Sequence, residues 1–314
     1  MANKSIVVVG SLNFDLVVQV ERIPRIGETV LGTRFQTHPG GKGANQAAEI
    51  GRLDHPVHLI GRIGSDAFGM ELLQSLKRVG VDMAAVSVSP GASGIAIIEV
   101  QTGGDNSIVV APGANANLSG ADLDDNFALI RNARLVLTQL EIPISTLEHL
   151  AQMCEREGVP LILDPAPACA LSSQVLSRVS WITPNETEAL LLTGNAQVPA
   201  TEPELRELAE LLMAMGPRNV LLKLGERGAY VATEEGLRAA IPAYPVKAVD
   251  TTAAGDAFNG AFAVALARGS GALVAARFAT AAAAISVTRH GALPSMPTTA
   301  EVEAFMAAHE EVTL

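Results

Sequence analysis

Short apolar runs of strand length alternate with amphipathic helical patterns through most of the chain, and this alternation limits the possible folds more than any other feature. The strand-like runs lie at 6–9, 57–60, 135–137, 161–163, 181–183 and 220–224, and helical patterns lie at 68–79, 145–156, 186–192 and 204–215. Parallel strands buried on both faces read as continuous apolar runs, and each parallel crossover needs a helix. We therefore predict an α/β fold: a doubly wound, mainly parallel sheet with helices on both faces.

Two segments, 16–38 and 86–110, interrupt this alternation because they are rich in strand signals without an intervening helix. We predict that they form a small antiparallel β-sheet that projects from the main body as a lid. Residues 1–15, 39–85 and 111–314 then form the main domain. The alternative is that the two segments are edge strands that continue the main sheet.

Composition excludes several classes of protein. The net charge of −11 argues against a nucleic-acid surface, which needs a basic footprint. No apolar run approaches the roughly 20 residues that a membrane-spanning helix needs, and the first residues carry no signal-peptide pattern, so we expect a cytoplasmic protein without a membrane partner. Cys154 and Cys169 form no CxxC pair, and we predict that both are reduced thiols.

The segment 249–260 carries the strongest chemical signal. It passes from an extended stretch through Ala253, Ala254 and Gly255 into an apolar helix. Side chains this small let consecutive backbone N–H groups approach an anion, and the helix dipole adds positive potential there. Asp256 follows directly, and a carboxylate beside an anion site can accept the proton of an attacking hydroxyl. The alternative is that Asp256 only caps the first helical turn.

Other catalytic patterns are missing from the sequence. It has no Gly-x-x-x-x-Gly-Lys-Ser/Thr loop and no Gly-x-Ser-x-Gly motif, which disfavours a Walker-type nucleoside triphosphatase and a serine hydrolase. The six histidines form no His-x-x-x-His pair, which disfavours a catalytic zinc site.

Two segments resemble a known family. Residues 249–260 are similar to the C-terminal signature of the ribokinase (PfkB) family of carbohydrate kinases, and 39–48, Pro-Gly-Gly-Lys-Gly-Ala-Asn-Gln-Ala-Ala, resemble its glycine-rich sugar-binding segment. The likeness extends from 9–13 to 291–295. It implies transfer of the γ-phosphate of ATP to a primary hydroxyl of a small sugar, with D-ribose to D-ribose 5-phosphate as the first expectation. It also implies Mg²⁺, K⁺ and a homodimer formed through the lid.

The resemblance assigns a sugar site. The matching positions are Asn13, Asp15, Gly41, Lys42, Gly43, Asn45 and Glu141, with Asp256 as the base and the amides of Ala253, Ala254 and Gly255 as the anion hole. Asn13 and Asp15 follow the first strand, where ligands bind in open α/β sheets. The alternatives are turn capping for Asn13 and Asp15 and a solvent-facing strand end for Glu141.

The nucleotide site is also assigned by resemblance, to Asn185, Lys223, Gly225, Gly228, Gly255 and Thr280, with Glu188 in the Mg²⁺ environment. Asn185 and Glu188 lie on one helical face, but an N-cap followed by an acidic first turn has the same pattern. Lys223 departs from the family, in which a small polar residue is frequent at this position; its side chain either contacts phosphate or points outward. Thr280 has a structural alternative within an alanine-rich helix.

The positions that match the family's K⁺ ligands are Asp250, Thr252, Ser286, Arg289, Gly291 and Ser295. Most of them would act through backbone carbonyls, so their residue types carry little information. Asp250 is informative because its anionic side chain suits a hard cation beside the anion turn.

Phe14 leaves the substrate open. It stands between Asn13 and Asp15 and is bulkier than the alanine of some relatives. A phenylalanine there would favour a deoxysugar if it faced the pocket and would have no effect if it faced away. Other acceptors to consider are 2-deoxyribose, fructose, tagatose and nucleosides. An alternative of another class is a non-catalytic sugar-sensing protein, although such a protein has no need of Asp256.

Overall fold

A large, mainly parallel sheet lies at the centre of the molecule, beside a smaller sheet. The structure, a computed structural model, describes residues 4–103 and 105–310. The strands are β1 Ile6–Val9, β2 Asn13–Val20, β3 Gly32–Gly40, β4 Val57–Gly64, β5 Val81–Asp82, β6 Val86–Ser89, β7 Gly94–Gln101, β8 Asn106–Ala111, β9 Leu135–Thr138, β10 Leu161–Leu163, β11 Trp181–Ile182, β12 Asn219–Lys223, β13 Ala229–Ala232 and β14 Arg238–Ile241.

The helices connect these strands and cover the large sheet. They are α1 Lys42–Arg52, α2 Ala67–Arg78, α3 Gly120–Asp125, α4 Phe127–Asn132, α5 Ile144–Glu157, α6 Ser173–Leu176, α7 Glu186–Thr193, α8 Glu202–Ala214, α9 Ala254–Ala267, α10 Ala272–Ser286 and α11 Thr299–Glu310. Short 3₁₀ turns occupy Gly113–Asn117, Gly225–Arg227 and Leu293–Ser295. Among the described residues, no helix is long and apolar enough to cross a membrane.

The order of strands in the large sheet is β14-β13-β12-β11-β10-β9-β1-β4-β5, with β6 also paired to β4. All the neighbours from β12 to β6 run parallel, whereas β13 and β14 add an antiparallel hairpin at one edge. The chain moves from β1 to one side and later returns to the other side through β9. The strand order therefore reverses between β1 and β9, and a crevice is expected at the carboxyl ends of these two strands.

Each face of the large sheet packs against its own layer of helices, as the apolar runs predict. In β1, Ile6 and Val8 belong to the apolar layer that contains residues of α1, α9 and α10, while Val7 and Val9 belong to the layer that contains residues of α5 and α8. All four residues of β1 are fully buried. The predicted doubly wound α/β architecture is confirmed.

The smaller sheet has the order β3-β2-β7-β8. Its outer pairs are antiparallel, but the central pair, β2 with β7, is parallel. It is a separate sheet, so the edge-strand alternative does not hold. The predicted boundaries differ in two places. The strand at 86–89 pairs with β4 of the large sheet, and residues 13–15 and 39–40, assigned to the main domain, belong to β2 and β3 of the small sheet.

Candidate active site

The polar residues predicted for sugar binding meet where β1 and β9 end. Glu141 follows β9, and its Oε2 accepts hydrogen bonds from Ser11 Oγ (2.5 Å), Asn13 Nδ2 (3.2 Å) and the backbone N–H of Lys42 (3.2 Å). Asn13 opens β2 directly after the turn that leaves β1. These contacts join three chain segments, and they show that Glu141 points into the crevice and not into solvent.

Asn13 is fixed from its other side by Asn115, which the sequence analysis did not identify. Asn115 Nδ2 donates to Asn13 Oδ1 at 2.8 Å, and Asn115 also exchanges hydrogen bonds with the backbone of Leu12. A cavity of about 340 Å³ opens beside Asn13, Asn115 and Glu141, and Val110 of the small sheet forms part of its wall. The pocket is therefore bounded by the small sheet and by the segment that follows β9.

The glycine-rich segment packs the start of α1 tightly against the exit of β1. Gly41 has φ +91°, and a Cβ there would stand 2.6 Å from the backbone N of Asn13. A Cβ on Gly43 would stand 2.6 Å from backbone atoms of Gly10 and Ser11. Contacts this short are not possible for a real side chain, so only glycine lets the helix approach so closely. The two glycines thus place Lys42 and Asn45 at the crevice.

Asp256 lies at the bottom of the crevice. It sits in the first turn of α9 and is 6% exposed. Its Oδ2 accepts from Asn45 Nδ2 and its Oδ1 from Gln46 Nε2, each at 3.0 Å. Within the described part of the chain, no side chain forms a cap hydrogen bond at the start of α9. The carboxylate is therefore held by α1 across the crevice, which argues against a role limited to capping its own helix.

Burial raises the pKa of Asp256 to about 6, and the negative charge of Asp164 adds to this, whereas Lys42 and the hydrogen bonds from Asn45 and Gln46 oppose it. A carboxyl group with this pKa is ionised at neutral pH and still basic enough to accept a proton, which is the range that suits a general base.

Lys42 is surrounded by carboxylates. Burial alone would lower its pKa, but Asp256, Asp164, Glu141 and Glu188 raise it, so the net shift is upward and the ammonium stays charged. Burial, followed by the charges of Glu141 and Asp256, raises the pKa of Asp15 to about 7, with Lys42 opposing. Asp15 and Asp256 are thus close enough to influence each other, so Asp256 shares one crevice with the predicted sugar ligands.

The small-residue turn leaves open space at Gly255. Ala253 adopts the left-handed conformation with φ 59°, and α9 begins at Ala254. A Cβ placed on Gly255 would have Lys223 Nζ as its nearest neighbour outside the local chain, at 3.7 Å. The N–H of Ala254 donates to the carbonyl of Thr251 at 3.2 Å. The positive end of the helix dipole, the space at Gly255 and the nearby ammonium nevertheless suit an anion such as a phosphoryl group.

The structure places Lys223 inside the crevice. Its Nζ lies 2.8 Å from Asp164 Oδ1, and the two side chains are 13% and 2% exposed. The outward orientation is therefore wrong. Asp164 Oδ2 in turn accepts from Gln46 Nε2 at 2.9 Å. Asp164 and Gln46 were missed by the sequence analysis, although Asp164 follows β10 directly, just as Glu141 follows β9.

Asn185 and Glu188 form a capping box at the start of α7. Asn185 Oδ1 accepts from the N–H of Glu188, and the Glu188 carboxylate accepts from the N–H of Asn185, both at 2.8 Å. Their present contacts are thus those of an N-cap and an acidic first turn, as in the capping alternative. Burial nevertheless raises the pKa of Glu188, with Asp164 contributing and Lys223 opposing, so the carboxylate also belongs to the charged cluster around the crevice.

The remaining nucleotide positions have local roles in the structure. Gly225 and Gly228 have positive φ values in the turn that joins β12 to β13. Thr280 is buried in α10, and its hydroxyl donates to the carbonyl of Ala276 at 2.8 Å. That hydrogen bond is the one expected from a structural threonine.

The positions assigned to K⁺ meet where two loops cross. Asp250 accepts from the N–H groups of Thr252 and Gly291, both at 2.9 Å, and Ser286 Oγ lies 2.9 Å from Ser295 Oγ. Burial would raise the pKa of Asp250, but its hydrogen bonds and His290 lower it, so the group is anionic. Arg289 pairs with Glu301 and approaches the carbonyl of Ser295 at 3.5 Å. In residues 4–103 and 105–310, no group of three or more His, Cys, Asp or Glu side chains could hold a metal.

Phe14 faces away from the crevice. Successive side chains of a strand alternate between faces, so Phe14 lies opposite Asn13 and Asp15 on β2. Its ring stacks on Phe68 of α2 with centroids 4.4 Å apart, and it is 1% exposed. The phenylalanine therefore does not narrow the pocket, and the argument for a deoxysugar falls away.

The fold is a doubly wound sheet with a second, small sheet. The site combines an open helix N-terminus with a buried carboxylate that faces a polar crevice. Together they define a phosphotransferase-type site. Residues 3–299 match the pfkB family carbohydrate kinase profile, and the chain belongs to this family.

Individual relatives are similar over nearly the whole chain. The chain is 43% identical over 302 residues to the ribokinase of Bacillus subtilis, and the match covers 96% of this chain and 98% of that protein. It is 33% identical to the deoxyribokinase of Salmonella typhimurium, covering 97% and 99%. The structure of Arabidopsis thaliana ribokinase complexed with ribose and ATP aligns with a TM-score of 0.89 at 37% identity, covering 96% of this chain and 98% of that one.

Proposed function

We propose that this protein transfers the γ-phosphoryl group of ATP to the 5-hydroxyl of D-ribose, releasing ADP and D-ribose 5-phosphate. The observation that carries the proposal is the position of Asp256, whose carboxylate lies between the polar cluster of Asn13, Asp15 and Glu141 and the open turn that starts α9. The similarity to ribokinases over nearly the whole chain supports the choice of ribose.

The sugar site has groups of the kind that a polyol needs. Asp15 and Glu141 accept hydrogen bonds from hydroxyl groups, and Lys42 donates to hydroxyl oxygens. Asn45 Oδ1 is buried and has no hydrogen-bond partner in the described residues, while its Nδ2 is committed to Asp256. An acceptor in this state suits a sugar hydroxyl, because a buried polar atom without a partner is costly.

In the proposed mechanism, Asp256 accepts the proton of the 5-hydroxyl as the oxygen attacks the γ-phosphorus. The oxygen forms a bond to phosphorus, the bond to the β-phosphate bridging oxygen breaks, and ADP leaves. The amides of Ala253, Ala254 and Gly255 stabilise the negative charge on the transferring group, and the dipole of α9 acts in the same direction. Glycine at 255 leaves the phosphoryl group room to approach these amides.

The residues at two places fit metal ions by the chemistry of their oxygen atoms. Glu188, in a half-buried position beside Asp164, offers a carboxylate to Mg²⁺, which neutralises phosphate charge when bound. Asn185, Lys223, Gly225, Gly228 and Thr280 line the proposed nucleotide site. The crossing loops around Asp250 offer one anionic carboxylate and backbone carbonyls to K⁺, with Thr252, Ser286, Arg289, Gly291 and Ser295 as the other candidates.

The outer part of the small sheet supports a homodimer. Cross-strand registers align Leu16 with Ile97 and Val109, and Val18 with Phe35, so these residues share one face. Phe35 and Val109 are 61% and 62% exposed. An apolar row of this kind on a sheet fits a second copy of the chain. Light scattering should give twice the chain mass for the parent and the monomer mass for Val109→Asp; a monomeric parent would contradict the proposal.

The test of the function is release of ADP with ATP, Mg²⁺ and a panel of ribose, 2-deoxyribose, fructose, tagatose and a nucleoside, with and without K⁺. The proposal predicts the highest kcat/KM for ribose. Tight ribose binding without ADP release would support the sensing protein instead, and a higher kcat/KM for another acceptor would replace ribose.

A further inference from the structure

A buried ion pair connects the two halves of the proposed site. Asp164 uses its two oxygens in two directions: Oδ1 lies 2.8 Å from Lys223 Nζ and Oδ2 accepts from Gln46 Nε2 at 2.9 Å. Gln46 Nε2 also donates to Asp256 Oδ1 at 3.0 Å. A continuous chain of polar contacts therefore runs from the ammonium of Lys223 to the carboxylate of the base.

Lys223 stands beside the anion turn with donors to spare. An ammonium has three N–H donors, and in the described part of the chain the Lys223 ammonium donates only to Asp164. The same nitrogen is 3.7 Å from the Cβ position of Gly255. At 13% exposure it is largely removed from water, which strengthens its attraction for an anion. Two donors are thus available to an anion at the turn.

Gln46 has its orientation fixed from both ends. Gln139 Nε2 donates to Gln46 Oε1, so the amide nitrogen of Gln46 must face the two carboxylates. All of the side chains of Gln46, Gln139 and Asp164 are buried. A network whose members are buried and oriented in this way transmits a displacement of one member to the next.

We propose that Asp164 and Lys223 form a coupling pair in which Lys223 contacts the nucleotide phosphates with its free donors and Asp164, acting through Gln46, is a positioning residue for Asp256. This inference rests on the proposed kinase function and adds to it a link between phosphate binding and the base.

The charge of Asp164 also affects the pKa of Asp256. The groups that face Asp256 are Lys42 of α1, Asp164 at the end of β10 and Asp15 of β2. Burial raises the pKa of Asp256 most; the charge of Lys42 lowers it, and the charge of Asp164 raises it further. Removing the charge of Asp164 should therefore lower the pH at which activity is lost on acidification.

The experiment compares the parent with Lys223→Met, Asp164→Asn and the double variant. Lys77→Met, an exposed lysine of α2, is the matched control. The measurements are kcat and KM for ATP, the pH profile of kcat/KM, the Kd of ribose and the melting temperature. Lys223→Met leaves Asp164 buried without its partner, so the double variant, in which both charges are gone, separates folding from function.

We expect Lys223→Met and the double variant to lose roughly 10- to 100-fold in kcat/KM for ATP, because each loses a desolvated, charge-assisted contact to phosphate. The Kd of ribose should stay within about twofold of the parent. Asp164→Asn should shift the acid limb of kcat/KM to lower pH. A double variant with parental kcat/KM for ATP would overturn the phosphate contact, and an unmoved acid limb in Asp164→Asn would overturn the coupling. If the parent itself releases no ADP with any sugar, it is the kinase function that fails.

Discussion

Replacement of Asp256 by asparagine isolates the proton transfer from the geometry of the site. The side chain keeps its shape, but it loses the charge that accepts the proton. In the structure each carboxylate oxygen accepts one hydrogen bond, from Asn45 and from Gln46. Asparagine has one oxygen, so its NH₂ group must face one of these two donors. One hydrogen bond is therefore lost.

The magnitudes separate catalysis from stability. Loss of one buried hydrogen bond costs about 0.5–1.5 kcal/mol. The neutral amide offsets part of this because it removes a charge whose burial raises the pKa of Asp256 to about 6. Loss of a positioned general base costs roughly 10²–10⁴ in rate, which is about 2.7–5.4 kcal/mol in the activation barrier. The kinetic effect should thus exceed the effect on folding.

The assay follows ADP release at saturating ATP and ribose, with ribose affinity measured separately by calorimetry. We expect Asp256→Asn to lower kcat by 10²–10⁴ and to leave the Kd of ribose nearly unchanged. In the parent, kcat/KM should fall as the pH drops through about 6, because protonated Asp256 cannot accept a proton. Turnover near that of the parent in Asp256→Asn would refute the role of the base.

Three further predictions concern other parts of the molecule. Gly43→Ala should destabilise the protein by about 1–3 kcal/mol and weaken ribose binding, because its Cβ would meet backbone atoms at 2.6 Å. Gly271→Ala adds a Cβ with nothing within 4 Å and changes only the N-cap of α10, so it should melt much closer to the parent. Equal melting of the two variants would contradict this. Burial raises the pKa of Glu49 well above its usual 4.5, so the folded state favours the proton and loses stability as pH rises above 4.5. The melting temperature of Glu49→Gln relative to the parent should therefore increase between pH 5 and pH 8, and a constant difference would be evidence against a buried neutral carboxyl. Exchange of K⁺ for tetramethylammonium should lower kcat in the parent and have no effect in Asp250→Asn; an equal response in both would remove Asp250 from the cation site.

The sheet and its helices could be predicted because burial on both faces leaves a readable pattern. The strand at 6–9 and the helix now bounded as Ala67–Arg78 show this most clearly. The hairpin of β13 and β14 was missed, since a run such as Ala229–Ala232 does not differ in pattern from a buried parallel strand or a helical turn. The strand at 86–89 was assigned to the wrong sheet because apolar pattern alone does not specify the partner of a strand.

The site could be predicted only where a motif marks it. Asp256 and Asn45 lie within such motifs, and the structure brings them into contact. Asp164, Asn115 and Gln139 lie outside them, and their roles depend on long-range contacts that no local pattern reveals. The direction of Lys223 likewise depends on Asp164, which is 59 residues away in the sequence.

The most direct measurement is a crystal structure of Asp256→Asn with ribose and ATP, in which slow turnover preserves both substrates. Our account predicts that the ribose 5-oxygen lies about 3 Å from the side chain of residue 256 and faces the γ-phosphorus, with the γ-phosphate oxygens on the amides of 253–255. A ribose whose 5-hydroxyl points away from residue 256, or a γ-phosphate bound elsewhere than at this turn, would contradict it.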